Sequence, residues 1–258
     1  MLVVSMAPVV VAGGTSGYYL VSCGSAQRRR TPIAFSVPAS SATMEATGIL
    51  LLWNDIDPEV EVEYNRWHSR EHVPERVSVP GIRAARRYAR ADDGPQRYLS
   101  VYDLDSTAVL SSRPYTALVE RPTPWSQKMR PHFCNMARCA CRRVASAGAG
   151  VGAWLLALRV AKGKPDKATR AAALDAIIEL EGVLAADWGL VDARVPGIAW
   201  NAGGAPPSAF DEVVLAQATD REALAASRRR IEALVRAAAG SDAVDPGPEY
   251  ALLHLVGK

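Results

Sequence analysis

From Gly48 onward, short apolar runs alternate with longer stretches of helical spacing. Gly48–Trp53 is a continuous apolar run bounded by Asn54, Asp55, Asp57 and Pro58, which predicts a buried strand followed by a helix start. Stepping by four and three from Val60 reaches Tyr64, Trp67 and Glu71, one stripe of a helix from about Pro58 to Val77 that Pro74 should end or kink. The Pro80-Gly81 turn then leads into a strand at Ile82–Arg90, with Arg97–Tyr102 as its hairpin partner across Asp92-Asp93-Gly94-Pro95. Ser106–Val119 reads as a second helix, Arg121–Phe133 as a proline-punctuated loop carrying Trp125, and Cys134–Val144 as an alternating strand.

After a linker of small residues at Ala145–Gly152, the same order of signals returns. Ala153–Ala161 predicts a strand and Asp166–Ala186 a long helix. Val191–Trp200 and Phe210–Ala218 predict strands joined across Gly203–Pro207, Arg221–Ala239 an amphipathic helix and Tyr250–Val256 a final strand. Val195-Pro196-Gly197-Ile198 echoes Val79-Pro80-Gly81-Ile82 at the corresponding point, the mark of a duplication. Each half thus reads β-α-β-β-α-β, the ferredoxin-like arrangement, with helices on one face of its sheet only. Two copies in one chain can cover each other's bare faces. The expected fold is therefore α+β: two ferredoxin-like repeats, 44–145 and 153–258, packed sheet to sheet as a single-chain α/β barrel.

Composition narrows the function classes. The 258 residues are 49% hydrophobic, ample for a packed core, and 30 basic against 27 acidic residues leave a net charge of only +3. Arginines are scattered and the triplets Arg28–Arg30 and Arg228–Arg230 lack interleaved aromatics, so no nucleic-acid partner is expected. Cys134, Cys139 and Cys141 follow a C-x4-C-x-C spacing without the paired CxxC of structural zinc sites, and read as small core or edge residues in a reducing, cytoplasmic setting. Residues 1–43 lack periodicity. Their apolar run from Leu2 to Ala12 has no basic start for a signal peptide and is too short for a membrane span, so the reading is an extension ahead of a working start at Met44, with no membrane partner.

The chemistry concentrates in Tyr64–Gly81, which holds His68 and His72, two of the four histidines. A carboxylate on the stripe that should be buried is expensive unless partnered. Glu71 is therefore expected either to pair with Arg86 or Arg87 at the helix–sheet seam or to serve a functional pocket. The mechanistic expectation is His72 as general acid/base on a small, partly apolar substrate, assisted by Glu71. Tyr64, Trp67, His68, Arg76 and Tyr88 are expected to contact the substrate, with Trp125 covering the pocket from its loop. His68–His72 also spells H-x-x-E-H, an inverted zincin motif, but Pro74 follows too closely and no third ligand stands out, so no metal site is assigned.

Trp67, Glu71-His72, Pro74, Arg76 and Pro80-Gly81 match a W-x3-E-H-x-P-x-R-x3-P-G pattern after the first strand. In this the chain resembles the dimeric α/β barrel superfamily, in particular its EthD-like members, over roughly Met44 to Lys258. The resemblance implies a pocket between sheet and helices with Glu71 and His72 at or near it. The second half lacks a counterpart to that pair, which implies one working site and one structural half. Superfamily members include polyketide cyclases, heme-dependent or cofactor-free monooxygenases and lactone isomerases, so the resemblance leaves the reaction open. Cofactor-independent cyclisation, isomerisation, dehydration or monooxygenation of a small organic molecule is the reading carried forward. Heme or a metal at His68/His72 and a non-catalytic or stress-associated binding barrel compete with it. A monomer or homodimer is expected.

Overall fold

The computed structural model describes residues 47–161, 163, 165–195, 210–240 and 244–258. The expected extension at 1–43 lies outside them, as do Pro196-Gly197-Ile198 of the internal echo and the Gly203–Pro207 turn. Four strands come from the first half: β1 (Gly48–Ile56), β2 (Ile82–Arg90), β3 (Tyr98–Leu104) and β4 (Phe133–Gly148). The second half supplies β5 (Trp154–Val160), β6 (Val183–Val191), β7 (Glu212–Ala218), the two-residue β8 (Val244–Asp245) and β9 (Glu249–Gly257). Their order is β4-β1-β3-β2 in one half and β9-β5-β7-β6 in the other, the same ferredoxin-like order twice. Antiparallel pairing of β2 with β9 and of β4 with β6 joins the two sheets edge to edge. The eight longer strands thereby close into a barrel without a free sheet edge to cap.

Strand alternation decides what fills each layer. Ile49, Leu51 and Trp53 of β1 point into the barrel, where they meet Tyr88, Leu99, Val101, Cys139 and Cys141 of the first half and Leu155, Ala157, Val213, Leu215 and Tyr250 of the second. At roughly 1.5–3 kcal/mol for each large apolar side chain buried, this shared interior makes each half the other's core. The alternate residues face outward under the helices. Leu50, Ile82, Ala85, Tyr102 and Leu104 form one cluster there, and Leu52, Tyr98, Phe133 and Met136 a second. Register shifts on β1, β2, β4 and β6 supply the bends that closure requires.

Several element boundaries differ from expectation, each for a local reason. The expected helix over Pro58–Val77 is a 3-10 turn (Pro58–Val60), α1 (Glu61–Trp67), one π-helical turn (His68–His72) and α2 (Val73–Ser78). Pro74 does not end it. The Val73 N–H reaches back five residues to the His68 carbonyl, and the widened turn takes up the proline, which has no N–H to offer. Gly81, at φ 89°, makes the expected turn into β2. The second helix is a 3-10 turn (Thr107–Ser111) followed, after an extended Ser112, by α3 (Arg113–Glu120). The expected loop at Arg121–Phe133 contains α4 (Pro124–Met129), started by Thr123, whose hydroxyl accepts from the Ser126 N–H, and by a proline in the first turn.

In the second half, α5 runs only from Lys167 to Ile178, and the segment expected to extend it to Ala186 is instead the start of β6. Gly182, at φ 75°, turns the chain, and Val183, Ala186 and Trp188 bury in the sheet–helix core. α6 (Arg221–Ala239) has the expected bounds and ends on a left-handed Gly240. Among the described residues, no helix is long and apolar enough to cross a membrane.

Candidate functional site

The π turn concentrates the singled-out residues on one segment but sends them in different directions. His72 and Arg76 form one wall of a crevice between α2, α3 and the outer face of the first sheet. Leu50, Leu52, Ile82, Tyr102, Tyr115 and Arg138 complete it. The space is about 20 Å³, enough for one water-sized group. Its lining combines three aliphatic side chains with an imidazole, two phenols and two guanidiniums. The Arg138 Nη2 donates to the Tyr115 hydroxyl at 3.5 Å, and the Arg76 guanidinium lies over the Tyr115 ring, 5.7 Å from its centroid.

His72 is 4% exposed. Its ring is stacked on Trp67, centroids 4.5 Å apart and tilted 35°, with the His68 ring 5.2 Å away. Burial, followed by the charges of Arg76, Arg130 and Arg87, holds the His72 pKa well below the ordinary histidine value, so the imidazole is neutral near pH 7. His68 is held neutral in the same way, by burial first and then by Arg87. Its Nε2 meets the Ser100 hydroxyl at 3.3 Å, while its Nδ1 has no hydrogen-bond partner among the described residues. It packs edge-on to Tyr64 and does not line the crevice.

Glu71 turns away from His72. Its Oε1 accepts from the Trp67 indole at 3.1 Å, from the Thr123 hydroxyl at 2.5 Å and from the Ser126 hydroxyl at 3.4 Å, tying the π turn to the start of α4. Neither arginine expected as a partner reaches it. Arg86 is held by Asp103 and Gln217, and Arg87 donates to Asn65 while lying over the rings of Tyr64 and Tyr98. Whatever Glu71 does for His72 therefore passes through Trp67. Tyr64 is core: its hydroxyl exchanges hydrogen bonds with Asn54 at 3.0 and 3.2 Å, and its ring packs on Trp67, Tyr98 and Phe133.

Two expected contacts are displaced by the fold. Tyr88 points into the barrel, on the opposite face of the sheet from the crevice, because the register shift at Ile82/Ala84 puts Ala85, Arg87 and Ala89 on the helix side. Trp125 packs from α4 against the cluster of Tyr64 and Met129 and covers nothing at the crevice. Conversely, Tyr102, Tyr115 and Arg138 line the crevice without any sequence motif to mark them. Arg138 was legible in principle, since alternation with Cys139 and Cys141, both inward, puts it on the helix face. Cys139 and Cys141 are the small core residues expected of them, and Cys134 is exposed.

Heme does not fit this site. A ligand pocket for an organic cofactor runs to roughly 300–1,000 Å³, whereas the crevice beside His72 holds about 20 Å³ and Trp67 already occupies a face of the imidazole. Around His68 and His72, no third His, Cys, Asp or Glu side chain among the described residues completes a metal-ligand group.

No protein-family model matches the sequence, and no curated protein matches it. Solved structures do share the fold. An anthrone oxidase-like protein superposes with a TM-score of 0.55 at 11% identity, over 81% of this chain and 92% of its own. A candidate monooxygenase from Fusobacterium nucleatum subsp. nucleatum gives 0.51 at 12% identity, over 83% of this chain and 95% of its own. At such identities the likeness is one of architecture. Together with the closed eight-stranded sheet, it gives the chain the α/β barrel fold of these structures, here with both four-stranded sheets drawn from one polypeptide.

Proposed function

We propose that the chain is an EthD-like small-molecule enzyme whose first half carries the site, and that His72 acts there as a cofactor-independent acid/base. The observation carrying this is a neutral imidazole on the wall of a cavity that also presents two guanidiniums. A neutral histidine can take a proton from an O–H or an activated C–H. The electron pair left behind forms a phenolate or enolate, stabilised by Arg76 and Arg138. Returning the proton to another carbon completes an isomerisation. Giving it to the alkoxide formed when the enolate carbon attacks a second carbonyl completes a cyclisation, and giving it to a departing β-hydroxyl releases water. With dioxygen as co-substrate, the same anion is the starting point for monooxygenation. Tyr102, kept protonated because burial raises its pKa, serves as a donor. Trp67 orients His72, and Glu71 positions Trp67. The second half is structural: α5 and α6 seal an apolar core over their sheet, with alanine, leucine and isoleucine where the first half carries its site. The partner is a small organic molecule, and the chain works as a monomer or homodimer.

The test is deuterium exchange. A panel of enolisable ketones and phenolic polyketide-like compounds in D2O, followed by proton NMR, should show enzyme-dependent exchange that falls at least 100-fold in His72→Gln. Exchange surviving in that variant would remove His72 from the chemistry. A non-catalytic binding barrel is the second reading. It is favoured by the small cavity and by the commitment of Glu71 to Trp67 and Thr123. It predicts ligand binding without exchange by the wild-type protein.

A further inference from the structure

We infer that the crevice selects an organic monoanion, one bearing a carboxylate or a phenolate or enolate oxygen, and that Arg76 is the residue that pairs with it. This rests on the crevice being the ligand site and adds what the ligand must carry. Arg76 is 4% exposed, and its Nη1 is fully buried without a hydrogen-bond partner. Among the described residues no carboxylate lies within ion-pair distance of it, although Glu75 is its neighbour in sequence. Buried Arg87 also lacks a carboxylate but has the Asn65 carbonyl oxygen and lies over the rings of Tyr64 and Tyr98. Other shielded arginines are ion-paired: Arg86 and Arg143 share Asp103, and Arg170 holds Glu212. A guanidinium taken from water without a counter-charge is costly, and here Arg138 lines the same space while Arg130 adds like charge nearby. His68 and His72, both neutral, offset none of it. The missing acceptor is supplied by a ligand.

The shape of the crevice agrees. A guanidinium fork suits an oxygen anion, and Tyr102 and Tyr115 line the same space with phenols able to donate. Leu50, Leu52 and Ile82 offer an apolar surface to the carbon next to the charge. With room for one oxygen-sized group, the charged end is what enters, and the body of a larger ligand must displace part of the wall.

The experiment titrates the whole protein with formate by calorimetry, and with 4-nitrophenol by absorbance of the yellow phenolate, at fixed ionic strength in chloride-free buffer. Saturable binding is expected. Formate alone would assign a carboxylate ligand, 4-nitrophenolate alone a phenolate or enolate, and either supports the inference. Arg76→Gln should weaken binding at least tenfold, about 1.4 kcal/mol, with Arg76→Lys intermediate and Arg70→Gln, which removes an exposed arginine outside the crevice, within threefold of wild type. Should Arg76→Gln fail to fold, formamide, the neutral isostere of formate, decides on the wild-type protein: equal binding of formate and formamide overturns the inference. So does unchanged binding in Arg76→Gln, or no saturable binding of either probe. Binding lost in Arg76→Gln and kept in Arg70→Gln leaves the anion site standing even where the exchange test fails. Binding kept in Arg76→Gln while the exchange test succeeds leaves only the acid/base reading.

Discussion

His68 and His72 are buried on a surface already rich in arginine, and this has a consequence for stability as well as chemistry. Their folded pKa values lie below the unfolded value of about 6.5. Below that pH the unfolded chain binds protons that the folded chain refuses, so stability, fully present above it, is lost as pH falls toward the folded values. The slope approaches ~1.4 kcal/mol per pH unit for each histidine, about 2.7 for both. Urea denaturation at pH 5, 6 and 7 should show this loss before the carboxylates titrate, and His68→Gln should halve it. A flat profile from pH 5 to 7 would mean that both imidazoles protonate freely in the folded protein. At the same scale, the sequence pointed to His72 and Arg76 because they stand in a dense cluster of titratable side chains. It could not separate them from Glu71, since neighbours on a helix differ by about 100° in direction and only the packing of α4 shows which way each one faces.

The element that matters most is the π turn. It widens the helix by one residue between Trp67 and Val73, and so brings His72 back over the Trp67 ring while Glu71 swings toward Thr123. Pro74 is its steric cause, because in a regular α-helix the ring would meet the carbonyl of Arg70. Pro74→Ala is therefore expected to let the ordinary α-helical register compete. Measured by NMR, the His72 ring protons should lose the upfield shift that stacking on Trp67 imposes, while stability changes by about 1 kcal/mol or less. An unchanged His72 spectrum would assign the turn to packing under α4 instead. A proline seen only in sequence reads as a helix breaker, and its absorption by a wider turn depends on contacts from α4 that local spacing does not contain. The reading of Asp166–Ala186 failed for a related reason. A short apolar run such as Val183–Val191 fits a helix face or a buried strand equally well until Gly182 is known to adopt a left-handed turn.

At the scale of the molecule, the halves share one interior. Trp53 meets Phe210 edge-on at 6.1 Å, the Arg86 Nη1 reaches Gln217 at 3.2 Å, and Asp103 and Asp187 hold Arg143 between the sheets. Neither half can hide its inner sheet face alone. Residues 47–148 and 153–258 expressed separately should each lack a cooperative thermal transition and should regain one when mixed. A monomeric half that unfolds cooperatively would show that the barrel interior is dispensable.

The strand alternation, the order of elements and the bare sheet face of each half follow from the pattern of apolar residues, and together they determine the barrel, because burying two such faces leaves few arrangements. The concentration of titratable side chains in the first half, from which the proposed site is drawn, is likewise written in the stretch from Tyr64 to Gly81. What only the tertiary structure decided is which side chains share a cavity. Tyr88 went to the barrel interior through a one-residue register shift, Trp125 to the core through a helix started by Thr123, and Tyr102, Tyr115 and Arg138 arrived from three separate elements to face His72 and Arg76. The physical reason is that alternation and helical period set the face a residue occupies within its own element, whereas a cavity is made where several elements meet, and their relative placement is fixed by long-range packing.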